Sequence, residues 1–172
     1  PCSGSTSILL TSENMASKFS DQPVWISGIG QKTNSASFAK NELTELTTSI
    51  IASRDAYKMA KTSASHIDVA EIHDAFTVCE LMAVKDLGFS ESLSGADYVR
   101  NLFNTENRKI NPRGGLIGAG HPLGATGIAQ IMEITMQLQN KAKKRQIDDV
   151  NKGLVHNMSA AATSSTVLIL ES

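Results

Sequence analysis

Short apolar runs alternate with longer stretches of helical periodicity along this chain of 172 residues. Apolar runs bounded by Gly, Pro or polar clusters indicate strands, and apolar residues that recur every three to four positions indicate helices. Strands are predicted at 5–10, 24–29, 67–72, 153–157 and 165–170. Helices are predicted at 13–19, at 38–60 with Ser35 or Ser37 as the cap, from about 76 to Gly88, as a short segment within 89–110, and after Gly124.

The order of these elements, β-α-β-α-β-α-β-β, predicts an α/β fold with a five-stranded mixed sheet covered by helices. We expect the sheet to be mainly parallel, with the last two strands antiparallel because their connection is short. The sequence shows no internal repeat and no low-complexity linker, so residues 1–172 are predicted to form a single domain. The chain begins at Pro1 rather than methionine, and we expect it to be a piece of a longer protein.

Charge and composition exclude several classes of function. Sixteen basic and 17 acidic residues give a net charge of -1, so no overall field attracts nucleic acid or an anionic membrane. The basic run at 141–145 is expected at the end of the long helix, where cations complement the helix dipole. Two cysteines are too few for a disulfide framework, and no segment resembles a membrane span or a signal peptide. These features favour a cytoplasmic protein.

The segment 111–127 reads N-P-R-G-G-L-I-G-A-G-H-P-L-G-A-T-G and contains six glycines around a single histidine, His121. Glycines allow the backbone to approach a ligand closely, and Pro122 restricts the conformation of His121. The predicted helix follows at once, so His121 lies near unpaired N–H groups that favour negative charge. A dinucleotide fingerprint is disfavoured because the spacing from Gly118 to Gly124 is one residue too long. A purely structural glycine turn stays open as an alternative.

Three of the four histidines, namely His73, His121 and His156, are predicted in loops at strand or helix ends. Ligands gather beyond the carboxyl ends of strands in such sheets. A metal site is disfavoured because none of the histidines shows the close spacing of helical zinc ligands. A Ser-His-Asp triad is disfavoured because Asp74 is adjacent to His73 and points to the opposite side. Neutral imidazoles that donate hydrogen bonds and carry protons at a carbonyl or thioester oxygen fit better, but this scheme lacks a nucleophile.

Three motifs together, I-H-D-A-F-T, the glycine and histidine segment and the V-H-N near the C-terminus, resemble the C-terminal half of thiolases. The resemblance is strongest to the sterol-carrier-type and archaeal acetyl-CoA acetyltransferase branch. It implies a thiolase-like βαβαβαββ half, one of two in a complete enzyme. The implied chemistry is reversible Claisen condensation, or thiolysis of a 3-ketoacyl-CoA, through an acyl-cysteine whose cysteine belongs to the N-terminal half.

The resemblance also implies roles for individual residues. His121 would activate the cysteine and donate to the thioester oxygen, and His73 would help to form the same oxyanion site. Phe76 would line the pantetheine passage, and Gly120 and Asn157 would contact the coenzyme A thioester. His156 is a third catalytic candidate. The substrate is a coenzyme A thioester, with no covalently bound cofactor and no metal.

Expected partners are the chain's own N-terminal half, further copies in a homodimer or homotetramer, and, from archaeal relatives, a 3-hydroxy-3-methylglutaryl-CoA synthase. Neither Cys2 nor Cys79 matches the family's nucleophile motif. The two positions where relatives carry a second cysteine also lack one here, since Ala75 stands in the H-D-A-F loop and the last turn reads H-N-M-S. A catalytically weak subunit that binds coenzyme A or an acyl group and serves in assembly is therefore the alternative function, and an unrelated α/β binding domain is a third.

Overall fold

A computed structural model describes residues 1–40, 42–90, 93–103 and 109–172. Its strands are β1 (Trp25–Thr33), β2 (Val69–Glu71), β3 (Lys152–Met158) and β4 (Ser164–Glu171). Its α-helices are α1 (Glu13–Ala16), α2 (Thr47–Ala60), α3 (Thr77–Asp86), α4 (Gly95–Phe103), α5 (Gly115–Ala119) and α6 (Thr126–Leu138). Short 3₁₀ turns lie at Phe38–Lys40, Ala64–His66, Lys143–Arg145 and Ala160–Ala162. Within the described ranges, no helix combines the length and apolar character needed to cross a membrane.

The four strands form one mixed sheet in the order β1-β4-β3-β2. Strand β4 pairs antiparallel with both β1 and β3, and β2 pairs parallel with β3. The predicted mixed sheet and the antiparallel closing pair are confirmed. The expectation of a mainly parallel sheet is wrong, because two of the three pairings are antiparallel.

The predicted first strand at 5–10 is not a strand, so the sheet has four strands among the described residues rather than five. An extended segment becomes a strand only when a neighbouring backbone satisfies its hydrogen bonds. The residues just before it contact the glycine and histidine loop, where the Cys2 N–H donates to the His121 carbonyl and Gly4 packs on Pro122. Within the segment, Thr6 lies against Met132 of α6, and Leu9 and Leu10 are exposed. At the β2 edge of the sheet, Ile110 forms a single parallel bridge with Ala70 of β2.

Helices cover both faces of the sheet, which makes three layers. Successive residues of a strand point to opposite faces, and β3 shows this clearly. Leu154 belongs to the larger buried cluster with Ala52 of α2, whereas its neighbour Val155 belongs to a second cluster with Ile134 of α6. The loops that join these layers therefore meet at the ends of β2 and β3, where the candidate residues lie.

Strand β1 and helix α2 approach each other so closely that β1 needs glycine. A Cβ atom at Gly30 would collide with the carbonyl oxygen of Ala52, and one at Gly28 with that of Ala56. The sequence pattern predicted that β1 ends at residue 29 and that these two glycines close it. In the structure β1 continues to Thr33, so both glycines lie within the strand. Helix α2 begins at Thr47, not at 38, and residue 41 lies outside the described residues.

Neither Ser35 nor Ser37 caps α2, because the helix begins after Leu46. The backbone N–H of Leu46 donates to Asp86 Oδ2 of α3 at 2.6 Å. A carboxylate from a neighbouring helix thus satisfies a backbone donor beside the start of α2, and the tertiary contact overrides the local capping pattern.

Helix α6 confirms the helix predicted after Gly124 but buries a different face. The predicted apolar stripe was Ala125, Ile128, Ile131, Met132, Thr135 and Leu138. Besides Thr126, the buried residues include three with long polar side chains, Gln130, Glu133 and Gln137. Each has specific partners, among them Arg145 for Glu133, and these partners offset part of the cost of burial.

Candidate functional site

The H-D-A-F loop, the glycine and histidine loop and the end of β3 meet around an open cavity of about 790 Å³. Five residues proposed from the sequence line it: His73, Phe76, Gly120, His121 and Asn157. The rings of His73 and His121 lie edge to face, with 5.1 Å between their centroids and 80° between their planes. The fold therefore brings together two histidines that are 48 residues apart in sequence.

Buried carboxylates connect the two histidine loops. Asp74, directly after His73, accepts a hydrogen bond from the backbone N–H of Leu116 at 2.8 Å. Glu71 of β2 accepts one from the backbone N–H of Arg113 at 3.1 Å, and burial raises the Glu71 pKa to about 7. Because both acceptors belong to β2 or the loop after it, the glycine segment is held in a fixed position relative to His73.

His121 is oriented by the first turn of α6. Its Nδ1 lies 2.7 Å from the hydroxyl oxygen of Thr126, and that hydroxyl donates to the carbonyl oxygen of Pro122 at 3.1 Å. Since a carbonyl oxygen can only accept, the Thr126 proton is used there, and Nδ1–H of His121 is the donor to Thr126. With its Nδ1–H used in this way, His121 in its neutral form has the lone pair on Nε2, the position from which it would take a proton.

His73 is held as a neutral imidazole. Burial, together with the neighbouring His121, lowers its pKa to about 4. Its Nδ1 lies 3.2 Å from Nδ2 of the Asn157 side chain, at the end of β3. A neutral ring can donate a hydrogen bond without bringing a charge into the cavity, which suits His73 to a carbonyl oxygen.

His156 does not line the cavity; it is fully buried behind it. Behind it runs a chain of hydroxyl groups that ends at a carbonyl. The Thr48 hydroxyl donates to the Ala162 carbonyl at 2.7 Å, so it accepts from Ser165 at 2.8 Å. Ser165 therefore accepts from Ser49 at 2.9 Å, and Ser49 in turn accepts from His156 Nε2–H at 2.9 Å.

The same chain reaches the backbone of His73. With its proton on Nε2, His156 accepts at Nδ1 from the backbone N–H of His73 at 3.5 Å. Burial lowers the pKa of His156 to about 3, so the ring stays neutral. These contacts give His156 a role in holding His73 and the turn Ala160–Ala162, and its catalytic role stays a prediction.

Replacement of His156 by glutamine should change how stability depends on pH. A histidine that stays neutral when folded binds its proton only on unfolding, so stability falls as pH drops from about 6.5, the pKa of unfolded histidine. For His156 this loss continues down to its folded pKa of about 3, at about 1.4 kcal/mol per pH unit. We therefore expect the unfolding free energy of the wild type, measured by urea denaturation, to fall between pH 6 and pH 5 by about 1.4 kcal/mol more than that of His156→Gln.

His73 contributes in the same direction, with a folded pKa of about 4, and Glu71, with its pKa of about 7, contributes in the opposite direction. Both groups are present in the wild type and in the variant, so their effects cancel in the comparison. Parallel stability curves for the two proteins would contradict the buried neutral state of His156.

The two cysteines occupy different environments. Cys2 is exposed and lines the cavity, whereas Cys79 lies on α3 and burial raises its thiol pKa. A raised pKa leaves less of the reactive thiolate at neutral pH.

Across the described ranges, no group of three or more His, Cys, Asp or Glu side chains is arranged to hold a metal ion.

The comparison with protein families is decisive for the identity of the domain. The profile described as "Thiolase C-terminal domain-like" matches residues 30–172. The chain belongs to this thiolase family. The matched region contains the last four residues of β1, all of β2, β3 and β4, both cavity histidines and the glycine and histidine loop, so the candidate site lies within the matched domain.

Individual relatives agree. The chain is 36% identical to "Acetyl-CoA acetyltransferase" of Methanothermobacter thermautotrophicus over 169 residues, which cover 96% of the chain and 44% of that protein. It is 43% identical to "Sterol carrier protein 2" of Homo sapiens over 109 residues, which cover 62% of the chain and 20% of that protein. A solved structure, "Ltp2-ChsH2(DUF35) aldolase", superposes with a TM-score of 0.76 at 22% identity over 88% of the chain and 40% of its own, and supports the thiolase-like fold. The chain thus spans less than half the length of these relatives.

Sequence reasoning missed the polar residues that support the candidate site. Thr126 orients His121, Gln130 bonds Asn157, and Ser49 bonds His156. The sequence contains one sign for Gln130, which is an uncharged polar residue among apolar neighbours on a predicted helix. If such a residue is buried, its side chain needs hydrogen-bond partners. No sequence pattern links Ser49 to His156, because the two are 107 residues apart.

Proposed function

We propose that this thiolase domain serves an acyl-CoA acyltransferase of the acetyl-CoA acetyltransferase or 3-ketoacyl-CoA thiolase type. The observation that carries the proposal is the pair of histidines, His73 and His121, whose rings lie edge to face in one cavity of a thiolase-family domain. The nucleophilic cysteine would come from a segment equivalent to the first part of the longer relatives. The substrate would be a coenzyme A thioester, with Phe76, Gly120 and Asn157 along its path.

The reaction can be written with these residues in defined roles. In thiolysis, the lone pair on His121 Nε2 takes the proton of the cysteine thiol. The thiolate attacks the 3-keto carbon, and the bond between carbons 2 and 3 breaks. The departing acetyl-CoA enolate takes that proton back from His121 and becomes acetyl-CoA. His121 then takes the proton of the free coenzyme A thiol, whose thiolate attacks the acyl-cysteine carbonyl. The bond from the acyl carbon to cysteine sulfur breaks, and the released cysteine thiolate regains its proton from His121.

His73 acts on oxygen in the same scheme. Negative charge develops on a carbonyl oxygen when its carbon is attacked or when the enolate forms, and a preorganised donor stabilises that charge. The low pKa of His73, about 4, keeps its ring neutral throughout the physiological range. His73 is therefore a hydrogen-bond donor in this proposal, and His121 is the proton carrier.

One observation favours the alternative, a weakly catalytic subunit that binds coenzyme A or an acyl group. The turn beside the cavity uses alanine in left-handed backbone geometry, with φ of 57° at Ala161 and 51° at Ala162. This geometry costs less with glycine than with alanine. The thiolase resemblance implies a cysteine at position 75, where this chain has Ala75. Both features fit a site with a weaker catalytic role.

Turnover by the whole protein decides between the two functions. We expect acetoacetyl-CoA and free coenzyme A to yield acetyl-CoA, whereas residues 1–172 alone give none because the nucleophile is elsewhere. Saturable binding of acetoacetyl-CoA by the whole protein without any acetyl-CoA would support the binding subunit instead. The homo-oligomer, the 3-hydroxy-3-methylglutaryl-CoA synthase partner and the cytoplasmic location stay predictions.

A further inference from the structure

A buried glutamine on α6 is connected to His73 without touching the cavity. Gln130 is 1% exposed and is absent from the cavity lining. Its side chain spans two consecutive residues at the end of β3, with Nε2 3.1 Å from the His156 carbonyl oxygen and Oε1 2.9 Å from Nδ2 of Asn157. Asn157 in turn contacts His73.

The direction of every hydrogen bond in this chain follows from one fixed acceptor. The carbonyl oxygen of His156 can only accept, so the Gln130 amide must present its NH₂ group there and its oxygen to Asn157. Asn157 must then present its own NH₂ group to Gln130. The same Nδ2 lies 3.2 Å from His73 Nδ1, which therefore accepts a hydrogen bond.

A neutral imidazole has one proton, so accepting at Nδ1 places that proton on Nε2. We propose that Gln130 is a positioning residue: acting through Asn157, it fixes His73 in the form that donates from Nε2. The value of this form to a thioester or ketone oxygen rests on the function proposed above. The hydrogen-bond chain itself does not depend on it.

The arrangement makes the two cavity histidines complementary. Thr126 leaves His121 with a lone pair on Nε2, and Gln130 leaves His73 with a proton on Nε2. Both orienting residues lie on α6, one helical turn apart. A single helix thus assigns the accepting form to one ring and the donating form to the other.

Nitrogen-15 NMR of histidine-labelled whole protein at neutral pH tests this inference, because the two neutral forms of the ring have distinct spectra. The His73 signals are assigned by their loss in His73→Gln. We expect the wild type to show His73 protonated at Nε2. Gln130→Met, which keeps the side-chain length but removes the amide, should give a mixture of the two forms.

Gln137→Met is the matched control. Gln137 is also a fully buried glutamine of α6, but it bonds Glu133 and Arg145 rather than Asn157. Its replacement should lower the melting temperature comparably while leaving His73 protonated at Nε2. Asn157→Asp is a second test: a carboxylate accepts from the ring, so the proton of His73 should move to Nδ1.

For Gln130→Met we expect kcat to fall roughly tenfold with KM little changed. A misoriented His73 would no longer stabilise the charge that develops in the transition state, whereas substrate binding would be little affected. A wild-type His73 protonated at Nδ1, or a proton position that is unchanged in both folded Gln130→Met and Asn157→Asp, would overturn the inference. If the proton positions follow the expectation but the protein makes no acetyl-CoA, the proposed function fails and the positioning role of Gln130 stands.

Discussion

Replacement of His121 by alanine should lower the rate of acyl transfer in the whole protein by roughly a hundred- to a thousandfold, the usual cost of losing one preorganised group at a developing charge. His121 is held from two sides, by Thr126 at Nδ1 and by the Cys2 N–H at its carbonyl. Its ring lines the cavity beside the ring of His73. Single-turnover acylation, with the melting temperature measured in parallel, separates lost chemistry from lost folding.

The other histidines provide the comparison series. His66 is exposed and bonds Ser63 away from the cavity, so His66→Ala should leave acylation unchanged. His73→Ala should lie between His66→Ala and His121→Ala, and His156→Ala should lower the melting temperature more than it slows acylation. A folded His121→Ala protein that acylates at nearly the wild-type rate would remove His121 from the mechanism and favour the binding subunit.

Replacement of Arg145 by methionine should cost about 2–3 kcal/mol of unfolding free energy. It leaves the buried Glu133 carboxylate without its partner, and solvent at the Arg145 side chain, which is 40% exposed, screens part of the loss. Glu133 of α6 is fully buried, and Arg145 meets it with two nitrogen atoms, Nη2 at 2.8 Å and Nε at 3.1 Å. Gln137 adds one hydrogen bond at 3.1 Å, which cannot neutralise the carboxylate. Urea denaturation at neutral pH measures the loss.

Two further variants show whether the unpaired charge is the cause. Lys144→Met removes the same charge from the adjacent exposed position, and we expect a change within about 0.5 kcal/mol. Glu133→Gln combined with Arg145→Met removes the carboxylate as well, and should recover at least half of the loss. A cost below about 1 kcal/mol for Arg145→Met would show that water reaches Glu133.

Local patterns predicted the parts of the site that depend on neighbouring residues. The strand before His73, the glycine-rich approach to His121 and the closing strands around His156 follow from apolar runs and from glycine and proline positions. Strands that end at one edge of a sheet bring their following loops together. For this reason the loops of His73, His121 and His156 could be grouped from the sequence. The structure places His73, His121 and Asn157 around one cavity, with His156 buried behind it.

Features that depend on distant partners could not be predicted. Segment 5–10 has the composition of a strand, yet it pairs with no strand of the described sheet, and its Thr6 lies against Met132 of α6. The buried face of α6 was misassigned because Gln130 and Glu133 look exposed until their partners, the His156 carbonyl and Arg145, are known. The proton positions on the histidines depend on such partners as well.

In the proposed function, this domain contributes proton-carrying and oxygen-stabilising histidines to a cysteine outside residues 1–172. The most direct measurement is to mix the whole protein with acetoacetyl-CoA, quench in acid and locate the acyl group by peptide mass spectrometry. We predict an acetyl group on a cysteine outside residues 1–172, with much slower accumulation in His121→Ala. An acetyl group on Cys2 or Cys79, or no covalent acyl group in a protein that still releases acetyl-CoA, would contradict the account.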